Sequence, residues 1–262
     1  MSLGKKKNID NAEWIKAMSE IESAVSKKDI QKLKSKTLDE IKRITKQKKV
    51  AFAWSGGKDS IVLADICKSA GIENSMFGHT DLEYPEFLKW CLDNKPNECE
   101  VINVGLDLEW LSKHPGMLFP NDCKTVYRWY QLVQQTAIKK YFKEHELDMV
   151  VVGHRKADGN YVGKGTNISS NGAGIVRYSP LSEWSHEQVL AYIHYYELAL
   201  PPIYEWENGY KCGTHPWPAR THTQNIEDGF KAVYAIDKTI VEQAAAYIPE
   251  ARHFLEKGGD EK

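Results

Sequence analysis

Long apolar runs are missing from this sequence of 262 residues. Nothing in it approaches the roughly 20 consecutive apolar residues that a membrane-spanning helix needs. The opening string Met1-Ser-Leu-Gly-Lys-Lys-Lys7 has no apolar core of the kind a signal peptide carries. A cytoplasmic protein with no membrane partner is therefore expected. Cysteine is scarce and scattered: Cys67, Cys91, Cys99, Cys123 and Cys212 include no C-x-x-C pair. That spacing argues against a zinc ribbon, a disulfide framework or a four-cysteine iron–sulfur site, so no iron–sulfur cluster is expected. Internal repeats are absent too. Net charge is only −1, yet residues 1–50 hold 14 Lys/Arg against 7 Asp/Glu, leaving the first fifth basic and the rest acidic. Such an arm could contact nucleic acid, although lysines interleaved with apolar residues and carboxylates also suit a pair of solvated helices.

What is present is an ordinary globular balance, 42% hydrophobic and 27% charged, with one stretch that organises the rest. The apolar run Val50–Trp54 predicts a buried strand. It stops at Ser55-Gly56-Gly57, and Lys58 to Ala70 predicts a helix with Ile61, Val62, Leu63 and Ile66 as its apolar surface. A strand, a glycine turn and a helix start together favour an anion: glycine permits positive φ and close approach, and the first helical turn presents unpaired N–H groups at a positive dipole end. Lys58 adds a cation, and Ser55 and Ser60 add hydroxyl donors. Asp59 would repel phosphate unless a divalent ion bridged the two, with Asp81 as a second candidate ligand for Mg²⁺. The expected ligand is a nucleotide polyphosphate, ATP with Mg²⁺. A glycine pair alone would suit any tight turn, but Ser-Gly-Gly-Lys-Asp-Ser is more specific. It lacks the spacing of a Walker loop and resembles the PP-loop of the ATP pyrophosphatase superfamily.

Upstream, Asp10 is expected to cap a helix to about Ser26 whose apolar stripe is Trp14, Ile15, Met18, Ile21 and Val25, after a mobile tail over 1–9. A second helix spans Asp29–Ser35, and Thr37-Leu-Asp-Glu40 reads as a capping box opening a third. Whether these pack on the main domain or on a second subunit stays open, as does a homo-oligomer. Downstream, strands are expected at Ser75–His79, Cys99–Val104, Leu147–Gly153 and Ile175–Leu181. Helices are expected at Glu86–Leu92, Thr125–Phe142 and from a cap at Ser185-His-Glu-Gln188, with an irregular stretch from Leu108 to Pro120. Asp81 and Glu83, just past a strand, are candidates for ribose, base or metal contacts. His154, Arg155 and Lys156 follow another strand end and suit a phosphate crevice. Asn160 to Gly174 is glycine-rich and reads as a flexible loop. Cys212, His215 and His222 have the spacing of partial zinc ligands, without an evident fourth. Tyr204, Trp206, Tyr210 and Trp217 could stack a ring or pack against the C-terminal helices, expected near Ile226–Ala235 and Thr239–Leu255. Alternating strands and helices imply an α/β fold with a parallel, doubly wound sheet.

Several landmarks occur in order: the loop at 55–60, Gly-His-Arg-Lys-Ala-Asp at 153–158, Ser-Pro-Leu-Ser-Glu-Trp-Ser from 179, Leu-Pro-Pro-Ile-Tyr at 200–204 and Asn-Gly-Tyr at 208–210. Together, over about residues 38–220, they resemble the phosphoadenosine phosphosulfate (PAPS) reductase family, which includes the ATP sulfurylase small subunit and FAD synthases. The resemblance implies an adenine nucleotide alpha hydrolase-like domain over 37–222, flanked by a basic helical extension at 1–36 and a C-terminal helical segment at 223–262. It also implies nucleotide binding by Trp54, Ser55, Gly56, Gly57, Lys58, Asp59, Ser60, Asp81, His154, Arg155 and Lys156.

The family's reductases carry a catalytic cysteine in a Glu-Cys-Gly-Leu-His segment near the C-terminus. No cysteine follows Arg220 here, and Lys211-Cys-Gly-Thr-His215 makes Cys212 the candidate thiol of a thiol-dependent PAPS reductase. The intact loop, with Lys58 and Asp59 both present, resembles the ATP-using branches, which transfer an adenylyl group and release pyrophosphate. That implies catalytic roles for Lys58, Asp59 and Arg155 and an acceptor still to be identified. A nucleic-acid modification or binding protein using the basic arm is the third expectation.

Overall fold

The structure is a computed structural model that describes residue 3 and residues 9–258. The tail expected over 1–9 therefore lies almost wholly outside the described residues. Six strands form one sheet: β1 Val50–Ala53, β2 Ser75–His79, β3 Cys99–Asn103, β4 Met149–Val151, β5 Ile168–Ser170 and β6 Val176–Tyr178. Their spatial order is β3-β2-β1-β4-β6-β5. All neighbours run parallel except β5, which pairs antiparallel with β6 at the edge. The parallel sheet expected from the sequence is thus a mixed sheet with one reversed edge strand.

Period-2 alternation divides the strand residues between two cores. Phe52, Phe77, Met149 and Val151 join the large cluster on one face. Ala51, Met76, Ile102, Val150 and Val152 join Ala137, Ile138 and Tyr141 on the other. Both faces are therefore covered, as a doubly wound sheet requires. Helix Lys58–Ser69 packs on the first face beside helix His186–Tyr195, and helix Thr136–Glu144 covers the second. Gly78 in β2 lets that last helix approach, since a Cβ there would stand 2.5 Å from the Ala137 Cβ.

The chain leaves β1 to build β2 and β3 on one side and then crosses to β4 on the other. Carboxyl ends of β1 and β4 are where an open sheet of this kind forms its ligand crevice.

Several sequence expectations are corrected. Helix Lys27–Thr45 is continuous, capped by Ser26, so Thr37 lies inside it and opens no capping box. The reason is tertiary: buried Thr37 accepts a hydrogen bond from the Trp184 indole N–H at 3.2 Å, which satisfies a hydroxyl that would otherwise favour a helix start. The first helix ends at Ser19 and a separate turn covers Ile21–Ala24, while Ile15 of the expected stripe is exposed. The stretch read as irregular contains helix Leu108–Ser112, capped by Asp107. The stretch read as a loop contains β5, held to β6 by residues too few to show a period. The helix expected over 125–142 is interrupted by a π turn at Gln131–Gln135, and the last helix divides at Pro249.

Helices Asn11–Ser19 and Lys27–Thr45 pack on this same domain. Trp14 is fully buried and stacks on Tyr210 with ring centroids 5.0 Å apart. Lys34 pairs with Asp65 at 2.9 Å. Among the described residues no helix is long and apolar enough to cross a membrane.

Candidate nucleotide site at the sheet switch point

A crevice of about 440 Å³ opens where β1 and β4 end, lined by Trp54, Ser55, Asp59, Ser60, Gly153 and His154 on the loop side. Gly56 makes the turn at φ +67°, and a Cβ there would meet the Cys91 Sγ at 2.5 Å. Only glycine fits such a backbone and such a neighbour. Gly57 is extended and serves as N-cap without a side-chain bond of its own. Opposite, Gly153 lets β4 approach the first turn of the helix, where a Cβ would lie 3.3 Å from the Asp59 carbonyl.

The loop's own hydroxyls fasten it. Ser60 Oγ accepts from the Ser55 N–H at 3.1 Å and the Ser55 hydroxyl at 3.2 Å, and donates to the Gly57 carbonyl at 2.9 Å. The Lys58 N–H donates to the Tyr204 hydroxyl at 2.8 Å. Two of the amides that the sequence offers to a ligand, those of Ser55 and Lys58, are thus bonded within the protein. Tyr204 is placed there by the Asn-Gly-Tyr motif. Asn208 takes the left-handed conformation, and Gly209 packs so closely that a Cβ would stand 1.8 Å from the Ile203 carbonyl oxygen.

Beneath the loop lies a buried charge cluster. Lys58 is 2% exposed; its Nζ reaches Asp59 Oδ2 at 2.7 Å and Asp158 Oδ1 at 3.9 Å. Arg155 is fully buried, with Nε on Asp59 Oδ1 at 2.6 Å, one terminal nitrogen on Asp158 Oδ2 at 2.8 Å and the other donating to the Trp184 carbonyl at 3.1 Å. Two cations thus face two carboxylates, the arrangement that makes buried charge tolerable. His186 Nδ1 lies 3.2 Å from the Arg155 guanidinium. Burial first, and Arg155 second, push the His186 pKa down to about 4, so its ring is neutral.

The structure therefore brings Trp54, Ser55, Asp59, Ser60 and His154 to the crevice, and sets Lys58 and Arg155 under it as the loop's foundation. Lys156 is exposed and pairs with Glu183. Glu83 is buried, accepting from the Thr80 N–H at 3.2 Å and hydroxyl at 3.3 Å; burial raises its pKa to about 8. Asp81 is exposed, accepts from the Asn103 side-chain amide at 2.6 Å and does not line the crevice. Both Asp59 oxygens already face cations. Asp59 and Asp81 thus form no carboxylate pair for Mg²⁺.

Sequence reasoning missed Asp158 as a partner, although its i+3 spacing from Arg155 within one short helical turn could have marked it. It also missed Tyr130, Gln134 and Arg177, because the π turn and the β5–β6 pairing that bring them in leave no local pattern.

The opposite wall carries Lys211, Cys212, Thr214, His215, Thr221 and His222. Cys212 is buried, and its thiol donates to the Thr221 carbonyl at 3.5 Å. Among the described residues no group of three or more His, Cys, Asp or Glu side chains is arranged to hold a metal ion, so the partial zinc spacing does not become a zinc site. Of the aromatic cluster, Tyr210 stacks on Trp14 and Trp217 packs on Phe230 of helix Ile226–Ile236, which is the packing role.

A second lobe of about 860 Å³ adjoins the first across Tyr130, His154 and Asp158 and extends to Tyr127, Tyr161 and Arg177. Burial, reinforced by Arg177, depresses the His154 pKa to about 4.

A curated phosphoadenosine phosphosulfate reductase of Emericella nidulans is 27% identical over 168 residues, covering 59% of this chain and 53% of that protein. This chain thus spans about half the length of that relative. Among solved structures, PAPS reductase from Candida auris in a phosphate complex has a TM-score of 0.49 at 18% identity, covering 69% of this chain and 92% of the other. NH3-dependent NAD synthetase from Campylobacter jejuni has a TM-score of 0.47 at 16% identity, covering 86% and 95%. U34-tRNA thiolase NcsA from Methanococcus maripaludis, solved with its [4Fe-4S] cluster, has 0.44 at 15%, covering 87% and 80%. The family model for the phosphoadenosine phosphosulfate reductase domain matches residues 49–212, well over half of the sequence and the whole run from β1 to the far wall of the crevice, and the chain belongs to that family.

Proposed function

We propose that this enzyme binds an adenine nucleotide in the crevice, with its phosphates over Ser55–Ser60, and acts at the α-phosphate. An acceptor atom attacks the α-phosphorus of ATP, the bond to the bridging oxygen breaks, the adenylyl group passes to the acceptor and pyrophosphate leaves. The observation that carries this reading is the intact Ser-Gly-Gly-Lys-Asp-Ser loop seated at the switch point of the sheet, against an open crevice. Apolar side chains Ala53, Met76, Ala137 and Ile138 line the same crevice and suit a purine ring. The positive end of the helix dipole at the first turn favours negative charge above it. Transfer of this type asks for positioning and charge stabilisation more than for a protein nucleophile.

A second reading has one observation in its favour: Cys212 lines the same crevice as Ser55 and Asp59. In a thiol-dependent PAPS reductase the Cys212 sulfur would take the sulfonate as a covalent S-sulfo adduct, with the nucleotide phosphate as leaving group.

Equilibrium binding of Mg-ATP and of PAPS to one preparation separates the two. The control is Gly57→Ala, because the nearest atoms to a Cβ there are Ser55 and Thr214 side-chain atoms at an ordinary 3.4 Å, both residues of the crevice, so the fold is spared while the loop mouth is narrowed. Mg-ATP binding weakened about tenfold or more in the variant, with PAPS weaker throughout and Cys212→Ser without effect on pyrophosphate release, supports adenylyl transfer. PAPS bound in preference to ATP, with turnover lost in Cys212→Ser, replaces it with the reductase. Binding of neither nucleotide removes both.

A further inference from the structure

Arg177 is a buried cation whose guanidinium the protein leaves largely unsatisfied. It lies in β6, opposite Val150 of β4 and Ser169 of β5, and is 8% exposed. Among the described residues no carboxylate forms an ion pair with it, and its Nε has no hydrogen-bond partner. One terminal nitrogen reaches Gln135 Oε1 at 3.5 Å, the outer limit of a hydrogen bond. The contrast is Arg155, fully buried in the segment that follows the neighbouring strand β4, whose Nε and both terminal nitrogens are engaged. A guanidinium taken out of water and left without an anion is costly to the fold, so such a group in a folded protein points to a charge supplied from outside.

The surroundings say where that charge would sit. Arg177 lines the second lobe, about 860 Å³, together with Tyr127, Tyr130, Tyr161 and Ser169. That lobe shares His154 and Asp158 with the nucleotide crevice. Of the carboxylates that line it, Asp158 is held by Arg155 and Asp122 caps helix Cys123–Tyr130. Cross-strand from Arg177 the chain has a serine, where an acid would have neutralised it. The π turn at Gln131–Gln135 puts Gln135 on this lobe and Gln134 on the nucleotide crevice, so one helical irregularity furnishes both walls.

The geometry points to an oxyanion subsite at Arg177: the second lobe takes a small acceptor molecule bearing a phosphate, sulfate or carboxylate group, which the guanidinium grips through two oxygens. The acceptor role rests on the proposed adenylyl transfer; the anion site itself rests only on Arg177 and its lobe. A ring on the acceptor would lie against the tyrosines, which provide flat apolar area with polar tips.

Calorimetric titration with inorganic sulfate, inorganic phosphate and phenyl phosphate tests this on the full chain, comparing wild type with Arg177→Gln, Arg177→Lys and Ser169→Asp. At least one of the three anions binds the wild type, binds Arg177→Gln tenfold or more weakly, and binds Arg177→Lys with intermediate affinity. Ser169→Asp, which leaves the arginine in place and sets a carboxylate opposite it on a partly exposed edge strand, loses anion binding by a similar factor. Preference for phenyl phosphate identifies the ligand as a phosphate ester of a ring compound, and preference for an inorganic anion identifies the free ion. Absence of binding to the wild type, or binding undiminished in both Arg177→Gln and Ser169→Asp, overturns the proposal. Mg-ATP titrated in parallel keeps the two readings apart: failure of ATP to bind the wild type sinks the nucleotide reading and leaves the Arg177 comparison standing.

Discussion

Gly56 and Gly57 are neighbours under different constraints. The first needs positive φ and a side chain no larger than hydrogen against Cys91; the second is extended, and an added Cβ would meet Ser55 and Thr214 side-chain atoms at an ordinary 3.4 Å. Gly56→Ala should therefore lower stability by about 1–3 kcal/mol through strain at a special φ, whereas Gly57→Ala should leave the unfolding midpoint nearly unchanged. The buried ionisable residues set opposite pH limits. His154 and His186 titrate near 4 in the folded protein against an ordinary 6.5, both mainly through burial. The unfolded chain takes up these protons first, so stability falls as pH drops from 6.5 through 4. Glu83 titrates near 8 against an ordinary 4.5, also through burial. The unfolded chain releases that proton first, so stability falls as pH rises from 4.5 through 8. Glu83→Gln removes the second limb, and thermal unfolding between pH 5 and 9 should show it more stable than wild type at pH 8 and no more stable at pH 5.

At the scale of elements, helix Lys27–Thr45 shows how a local signal yields to packing. Thr37-Leu-Asp-Glu40 has the composition of a capping box, but the Trp184 indole holds the Thr37 hydroxyl inside an unbroken helix. Thr37→Val keeps the shape and strands the buried indole N–H, so denaturant unfolding should show a loss of about 1–3 kcal/mol, concentrated where this helix meets Trp184. The capping box at Ser185–Gln188 has the same kind of spacing and does form, with the Ser185 hydroxyl accepting from the Gln188 N–H and the Gln188 side chain accepting from the Ser185 N–H. Strands β1 and β2 were legible because their apolar runs are buried on both faces and bounded by turn residues. Strand β5 was not: Ile168–Ser170 has no period of its own and exists through its ladder with β6. The π turn was illegible for a similar reason, since its extra residue is set by packing against β2, where Gly78 faces Ala137 and the Val133 carbonyl.

Across the whole molecule, the N-terminal extension is joined to the nucleotide site. Trp14 stacks on Tyr210, meets His186 edge-on at 4.8 Å and lies 5.6 Å from the Lys58 Nζ. Its ring closes one side of the charge cluster that supports the loop. Trp14→Ala should cost about 3–5 kcal/mol by opening a cavity at that junction. The same substitution should weaken nucleotide binding more than an equally destabilising change far from the loop, since water admitted beside Lys58 and Arg155 screens the pairs that hold Asp59 in place.

By itself the sequence determined the loop, the order of the main strands and helices, and the family. These are local properties: glycine conformational freedom, apolar period, and motif order along one chain. Only the tertiary structure decided that Lys58 and Arg155 sit under the loop with Asp59 and Asp158, that Asp81 and Glu83 have separate partners, that Cys212 shares the crevice, and that Arg177 pairs with no carboxylate among the described residues. Those outcomes depend on which residues from strands distant in sequence meet at one end of the sheet. Burial then sets the charge each group can carry, and no pattern along the chain records either.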